Sequence, residues 1–180
     1  MSILKKDFYN RDTLIVAKEL LGCKIVRQIG NKIYSGIIVE TEAYKQDDPA
    51  CHSFKGKTPR ASTLFKEAGL AYVYLIYGMY YCLNTVTEPF DTAGAVLIRA
   101  LEPIENISNS NGPGKLCKAL SITKEFNEID LTSNKSNLWI EKYNEITADN
   151  IITTARIGIK LATDYPWRFY IKDNPYISKK

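Results

Sequence analysis

The 180-residue chain has a single histidine, His52, and four cysteines at Cys23, Cys51, Cys82 and Cys117. No two of these cysteines have the close spacing of a zinc knuckle or a redox pair, so no metal site is expected. The zinc deaminase signature is missing as well. No apolar run is long enough to cross a membrane. The opening residues turn charged at Lys5, Lys6 and Asp7 after two apolar positions, which does not suit a secretory leader. A cytoplasmic protein with reduced thiols is the expectation. No internal repeat, linker or shift of composition divides the chain, and its length suits one core, so residues 1–180 are read as one domain. Charge is nearly balanced, 24 basic against 20 acidic residues with a net charge of +4. That balance permits nucleic-acid binding without demanding it.

Aromatic residues are plentiful in one place. Residues 71–84 read AYVYLIYGMYYCLN and hold Tyr72, Tyr74, Tyr77, Tyr80 and Tyr81. Aromatic and β-branched residues suit a pleated, half-buried surface. Gly78-Met79 fits a two-residue hairpin turn with glycine first, where a positive φ is needed. Alternation puts Tyr72 and Tyr74 on one face and Tyr77 on the other, beside the turn. Such a hairpin is either a core element with hydroxyls reaching water or a wedge with a ring at its tip. Residues 50–87 around it carry Lys55, Lys57, Arg60 and Lys66 against the single acid Glu67.

Earlier in the chain, Asp12 is placed to cap a helix running to about Leu21 and stopped by Gly22. Residues 23–28 and 32–41 look like paired strands joined at Gly30-Asn31. The second ends in IIVETEAY, where Ile38, Glu40, Glu42 and Tyr44 share one face if the strand continues. That face is either a solvated strand side or a pair of carboxylates beside an aromatic wall. Alternation does not say which carboxylate would act. Residues 45–60 form a long polar loop holding His52, and a loop of that length is uncommon without a function. Residues 60–68 read as a short helix closed by Gly69.

Asn84 interrupts an apolar strand face, and a buried amide must find partners. Arg99 breaks the buried-type run AVLIRAL, which is costly unless a carboxylate or a bound phosphate pairs with it. GPGK at 112–115 leads into a helix, with proline suited to its first turn and a lysine nearby. Its spacing is not that of a P-loop. Residues 138–140, 150–159 and 167–172 read as further strands.

ETEAY at 40–44, His52, TPR at 58–60, YVYLIYGMYYCLN at 72–84 and VLIRALEP at 96–103 together resemble one family. It is the alkyladenine (3-methyladenine) DNA glycosylase family of the mammalian type. GPGKLCKAL, ARIGI and WRFYI extend the resemblance over residues 14–177. It implies an α+β fold: a single compact domain with a curved antiparallel β-sheet, flanking helices and a protruding β-hairpin that enters the DNA minor groove. The partner implied is double-stranded DNA containing alkylated or deaminated purines, bound by a monomer without a cofactor. By this resemblance Glu42 is the general base that activates water, and Arg99 lies beside that water and the nucleotide's phosphate. Tyr44 and His52 stack on one face of the extruded base and Tyr74 on the other. Tyr77 is the wedge, Asn84 crowds the 2-amino group of guanine, and Arg60 and Lys115 meet the backbone.

Physical chemistry agrees with that picture. A stacked base cannot be attacked easily, so its nucleotide must be rotated out, at less cost when the pair is damaged. An alkylated purine is cationic, gains cation–π attraction between aromatic rings and leaves readily. One carboxylate that deprotonates water can then suffice, as in an inverting glycosidase. No lysine suggests a Schiff base, so a monofunctional enzyme leaving an abasic site is expected. Two other readings compete. One is a non-catalytic nucleic-acid-binding module similar to the C-terminal domain of methionyl-tRNA formyltransferase; the other is a carbohydrate-active enzyme.

Overall fold

A computed structural model describes residues 2–179, and one long strand organises it. Strand β1 (Lys24–Ile29) turns at Gly30 into β2 (Lys32–Lys45), 14 residues long. A hairpin follows, β3 (Ala71–Ile76) and β4 (Tyr80–Val86), and then β5 (Gly94–Glu105). Three short strands complete the set: β6 (Leu138–Glu141), β7 (Ile151–Thr154) and β8 (Arg168–Ile171). They form one curled antiparallel sheet in the order β3-β4-β5-β2-β1-β6, with β8 bridging β2 and β7. One edge of β2 pairs along its length with β5. Its other edge is shared, by β1 over its first half and by β8 at Glu40, Thr41 and Glu42.

Sharing an edge between two partners requires bending, and the ladder shows where it occurs. Ile38 faces Leu101, Glu40 faces Ala100 and Thr41 faces Ile98. Val39 on β2 and Arg99 on β5 are therefore each left without a partner across the ladder. Bulges of this kind bend a strand and re-aim a side chain. Here they fall on the two strands that carry Glu40, Glu42 and Arg99.

The helices are short. α1 spans Lys6–Tyr9, α2 Thr13–Glu19 and α3 Pro113–Ala119. Asp12 caps α2 as expected, its carboxylate accepting from the N–H groups of Leu14 and Ile15. Val16, Ala17 and Leu20 of that segment pack fully buried into the main core, with Ile25, Ile38, Leu83, Ile98 and Leu116. A second cluster lies under the loop after β2: Cys51, Ala61, Leu64, Phe65, Tyr72, Val86, Ala93 and Ala95. Tyr44 and Tyr74 pack against it. The loop is thus not a free polar excursion, because its own apolar residues anchor it beside the hairpin.

Three expectations change. Residues 60–68 form only a 3₁₀ turn at Ser62–Phe65 rather than a helix. The strand expected over 150–159 ends at Thr154, and the chain then turns away from the sheet. The hairpin turn is centred on Tyr77-Gly78, not Gly78-Met79: both central residues have positive φ (53° and 68°), and Met79 N–H donates to the Ile76 carbonyl. A tyrosine therefore occupies a left-handed position that a β-carbon disfavours.

Candidate active site

β2 is covered on both faces over residues 38–43, so alternation no longer separates core from solvent there. Glu40 and Glu42 are both 0% exposed. The solvated-face reading of this strand is therefore excluded, and burial of two carboxylates has to be compensated. Arg99 does so, reaching Glu40 through Nε at 3.1 Å and Glu42 through Nη1 at 3.3 Å. Burial pulls the Arg99 pKa down, but the two carboxylates outweigh it and hold the guanidinium above its ordinary value.

The two carboxylates differ in what surrounds them. Glu40 accepts from Arg99 Nε (3.1 Å), Arg168 Nε (2.7 Å), Ser178 N–H (2.6 Å) and Ser178 Oγ (2.9 Å). A carboxylate offers about four lone-pair sites; at Glu40 three donors crowd Oε1 and Ser178 N–H meets Oε2, and neither Arg168 nor Ser178 lines the cavity. Glu42 accepts from Tyr44 Oη on Oε2 and from Ile157 N–H on Oε1, each at 2.7 Å, with Arg99 farther off. It keeps acceptor capacity for one more donor. Tyr44, Arg99 and Ile157 line a cavity of about 680 Å³, and the Glu42 carboxylate lies immediately behind them. That volume falls within the usual range for small-molecule sites.

The cavity's other wall is aromatic. His52 meets Tyr74 edge-on with ring centroids 4.7 Å apart, and Tyr72 lies 5.4 Å from Tyr74. Stacking a base between two rings needs about 7 Å, two contact distances. No base fits between His52 and Tyr74 in this arrangement, which corrects the expectation that they take opposite faces. They form one wall, and Tyr44 makes no ring contact with either. Tyr72 Oη lies 3.2 Å from the Arg60 carbonyl, to which it can donate, and 2.8 Å from His52 Nδ1. Burial, with Arg60 adding to it, lowers the His52 pKa to about 4, so the ring is neutral at pH 7. Burial and then the neighbouring Glu42 carboxylate push the Tyr44 hydroxyl well above its ordinary value, which keeps it a donor.

The hairpin and α3 form the cavity's outer rim. Tyr77 is 78% exposed at the turn, with Met79 and Tyr80 beside it. Tyr80 lies against Gly114, where an added β-carbon would come 2.9 Å from the ring, so a glycine is needed for the close approach. Lys115 is exposed on this rim and donates to Asn111 Oδ1. Arg60 stands over the Tyr74 ring at 5.4 Å. Asn84 is buried opposite Tyr72 on the ladder and donates to the Tyr72 carbonyl at 3.0 Å, with its side chain at the cavity. Among the described residues no group of three His, Cys, Asp or Glu side chains is placed to hold a metal ion. No helix among them is long and apolar enough to cross a membrane.

A model of the family described as "Methylpurine-DNA glycosylase (MPG)" matches residues 7–175. The chain belongs to this family. It is similar to proteins named "Putative 3-methyladenine DNA glycosylase" from several organisms. The Legionella pneumophila (strain Corby) protein is 53% identical over 184 residues, covering 99% of this chain and 100% of the relative. The Carboxydothermus hydrogenoformans protein is 47% identical over 191 residues with the same coverage. The Clostridium perfringens (strain SM101) protein is 47% identical over 204 residues, covering 98% of this chain and 99% of the relative.

As a member of this family, the protein is a DNA glycosylase of DNA repair, a hydrolase acting on N-glycosyl bonds. Its fold brings Tyr44, His52, Tyr74, Tyr77, Asn84, Arg99 and Lys115 to the lining of one cavity, with Glu42 behind Tyr44 and Arg99 and with Arg60 over the Tyr74 ring. Residues without a role in the sequence analysis support the groups around the cavity. Ile157 supplies a backbone donor to Glu42, and Arg168 and Ser178 seat Glu40. Asp48 and Arg156 form a buried ion pair behind Tyr44. The ARIGI and WRFYI stretches held Ile157, Arg156 and Arg168, but a backbone N–H or a partner more than 100 residues away leaves no local pattern.

Proposed function

We propose that this glycosylase rotates an alkylated or deaminated purine nucleotide out of duplex DNA, seats the base in the cavity and hydrolyses its N-glycosidic bond. The purine would lie between Tyr44 on one side and the His52–Tyr74 wall on the other. A cationic purine gains about 0.5–2 kcal/mol for each good ring contact, and the neutral His52 adds no opposing charge. Asn84 bounds the site against a guanine 2-amino group. Tyr77, presented at the tip by its left-handed backbone, would fill the gap in the stack and offset part of the cost of unstacking. Arg60 and Lys115 lie where the DNA backbone would pass.

Glu42 is the residue assigned to the water. A water hydrogen-bonded to its remaining lone pair, on the far side of the sugar from the leaving base, would lose a proton to the carboxylate as it attacks the anomeric carbon. The base departs with the bonding electron pair and an abasic site remains. Arg99 would steady the carboxylate and the nucleotide's phosphate. The reading includes a monofunctional enzyme acting as a monomer on DNA in the cytoplasm. The placement of the two buried carboxylates is the observation that carries it: Glu42 is held by Tyr44, Ile157 and Arg99, all of which line the cavity, whereas Glu40 shares Arg99 but is otherwise tied to Arg168 and Ser178, which do not.

The test is free-base release from methylated duplex DNA by wild type and by Glu42→Gln. Release by wild type, a loss of about 10²–10⁴-fold in the variant and retained DNA binding are expected. Equal release by both proteins would remove Glu42 from the chemistry. Strand cutting by rigorously purified wild type would overturn the monofunctional assignment.

A further inference from the structure

We propose that the buried Arg156–Asp48 pair sets how this glycosylase discriminates between positively charged and neutral purines, a role that rests on the stacking against Tyr44 described above. The Arg156 guanidinium lies 4.6 Å from the centroid of the Tyr44 ring. Tyr44 lines the cavity and Arg156 does not, so the cation sits behind the ring. Both partners of the pair have side chains 0% exposed. Arg156 Nη1 donates to Asp48 and, at 2.9 Å, to the carbonyl of Ala43; Nη2 donates to Asp48 Oδ1 at 2.9 Å.

These bonds have a geometric consequence. Ala43 lies between Glu42 and Tyr44, and Ile157, the residue after Arg156, donates to Glu42. Asp48 begins the loop that carries His52 and accepts from Ala50 N–H at 2.9 Å. One guanidinium therefore braces the strand of the general base, the back of one stacking ring and the loop of the opposite wall. The planar fork of arginine suits such a task, and a lysine does not replace it.

The electrostatic consequence is separate. A cationic base stacked on the front of Tyr44 would sit about 8 Å from the guanidinium, one contact distance beyond the ring. At an effective dielectric of about 20, two like charges at that separation repel enough to lower occupancy roughly tenfold or more. Asp48 cancels that repulsion. The ring is held by a cation, yet its open face remains hospitable to a second one.

Single-turnover base release on duplexes carrying 7-methylguanine, which is cationic, or hypoxanthine, which is neutral, tests the proposal. Asp48→Asn removes the guanidinium's bonded carboxylate and leaves only the Glu42 charge, already shared with Arg99, so the ratio of 7-methylguanine to hypoxanthine release should fall roughly tenfold. Arg156→Gln leaves the carboxylate uncompensated and should move the ratio the other way. The double variant, Arg156→Gln with Asp48→Asn, should restore the wild-type ratio while both rates stay low, because Tyr44 has lost its brace. Equal loss on both substrates in each single variant would reduce the pair to a structural one and overturn the inference. If circular dichroism shows one single variant unfolded, the other decides by the direction of its shift. Release by wild type with unshifted ratios defeats this inference alone, whereas no release by wild type from any lesion defeats the proposed function and this inference with it.

Discussion

Tyr44 donates its hydroxyl proton to Glu42 Oε2 at 2.7 Å, two residues along the same strand. One side chain thus offers its ring to the cavity and holds the carboxylate of the proposed base. Tyr44→Phe separates these tasks, since the ring stays and the donor goes. A hydrogen bond to a charged group is worth about 1.5–3 kcal/mol. The single-turnover rate should fall about tenfold or more while binding to a lesion-containing duplex is unchanged. Weakened binding with an unchanged rate would contradict the orienting role.

Glu40 and Arg99 give a different kind of prediction. Glu40→Ala would leave the Arg99 and Arg168 guanidiniums buried without their shared carboxylate. Removing one partner of a buried pair costs about 3–5 kcal/mol, so the melting temperature should drop markedly. Glu42→Gln keeps one acceptor oxygen for Ile157 N–H and turns its NH2 toward the Tyr44 hydroxyl, which can accept instead, so it should cost less stability while release falls sharply. Comparing the two variants by thermal denaturation and base release separates the seat of Arg99 from the proposed chemistry.

Tyr77 has φ 53° at the hairpin tip and is exposed. A non-glycine residue there carries strain of about 1–2 kcal/mol. Tyr77→Gly should therefore stabilise the folded protein slightly and slow base release from an intact duplex. Release from a single strand, where no stack has to be opened, should change less. A variant that is both more stable and equally fast on duplex would remove the wedge.

His52 supplies a pH dependence of stability. Its pKa is lowered from 6.5 to about 4 on folding, chiefly by burial. Between those values the unfolded chain binds more protons than the folded one, so stability rises with pH through that window. The contribution is complete above about 6.5 and is lost as pH falls toward 4. Discounted for partial exposure it is about 1–2 kcal/mol. Urea unfolding of wild type and His52→Gln at pH 4.5 and 7 should show the difference shrinking at the lower pH.

Lys115 lines the cavity and Arg60 stands over the Tyr74 ring, both open to solvent. DNA affinity should fall steeply with salt, and each alanine variant should reduce the slope of log K against log salt by about 1. An unchanged slope in Lys115→Ala would take that lysine out of the DNA path.

Local chemistry determined much of this protein before any coordinates. Asp12 ahead of an apolar stripe specified the cap of α2, and the tyrosine-rich run around Gly78 specified a hairpin. The order of ETEAY, His52, the hairpin and Arg99 specified the family. The tertiary structure decided the rest, because the deciding interactions span long stretches of chain. Which carboxylate stands beside the cavity depends on Ser178 and Arg168 reaching Glu40 and on Ile157 reaching Glu42. Which rings share a wall depends on how a loop packs against a hairpin, and period-two alternation is silent on that. The turn shifted by one residue because the pairing of Ile76 with Tyr80 sets the loop, and a glycine alone does not. Residue type and spacing say what chemistry is available; burial and partner geometry say which copy of a group stands beside the cavity.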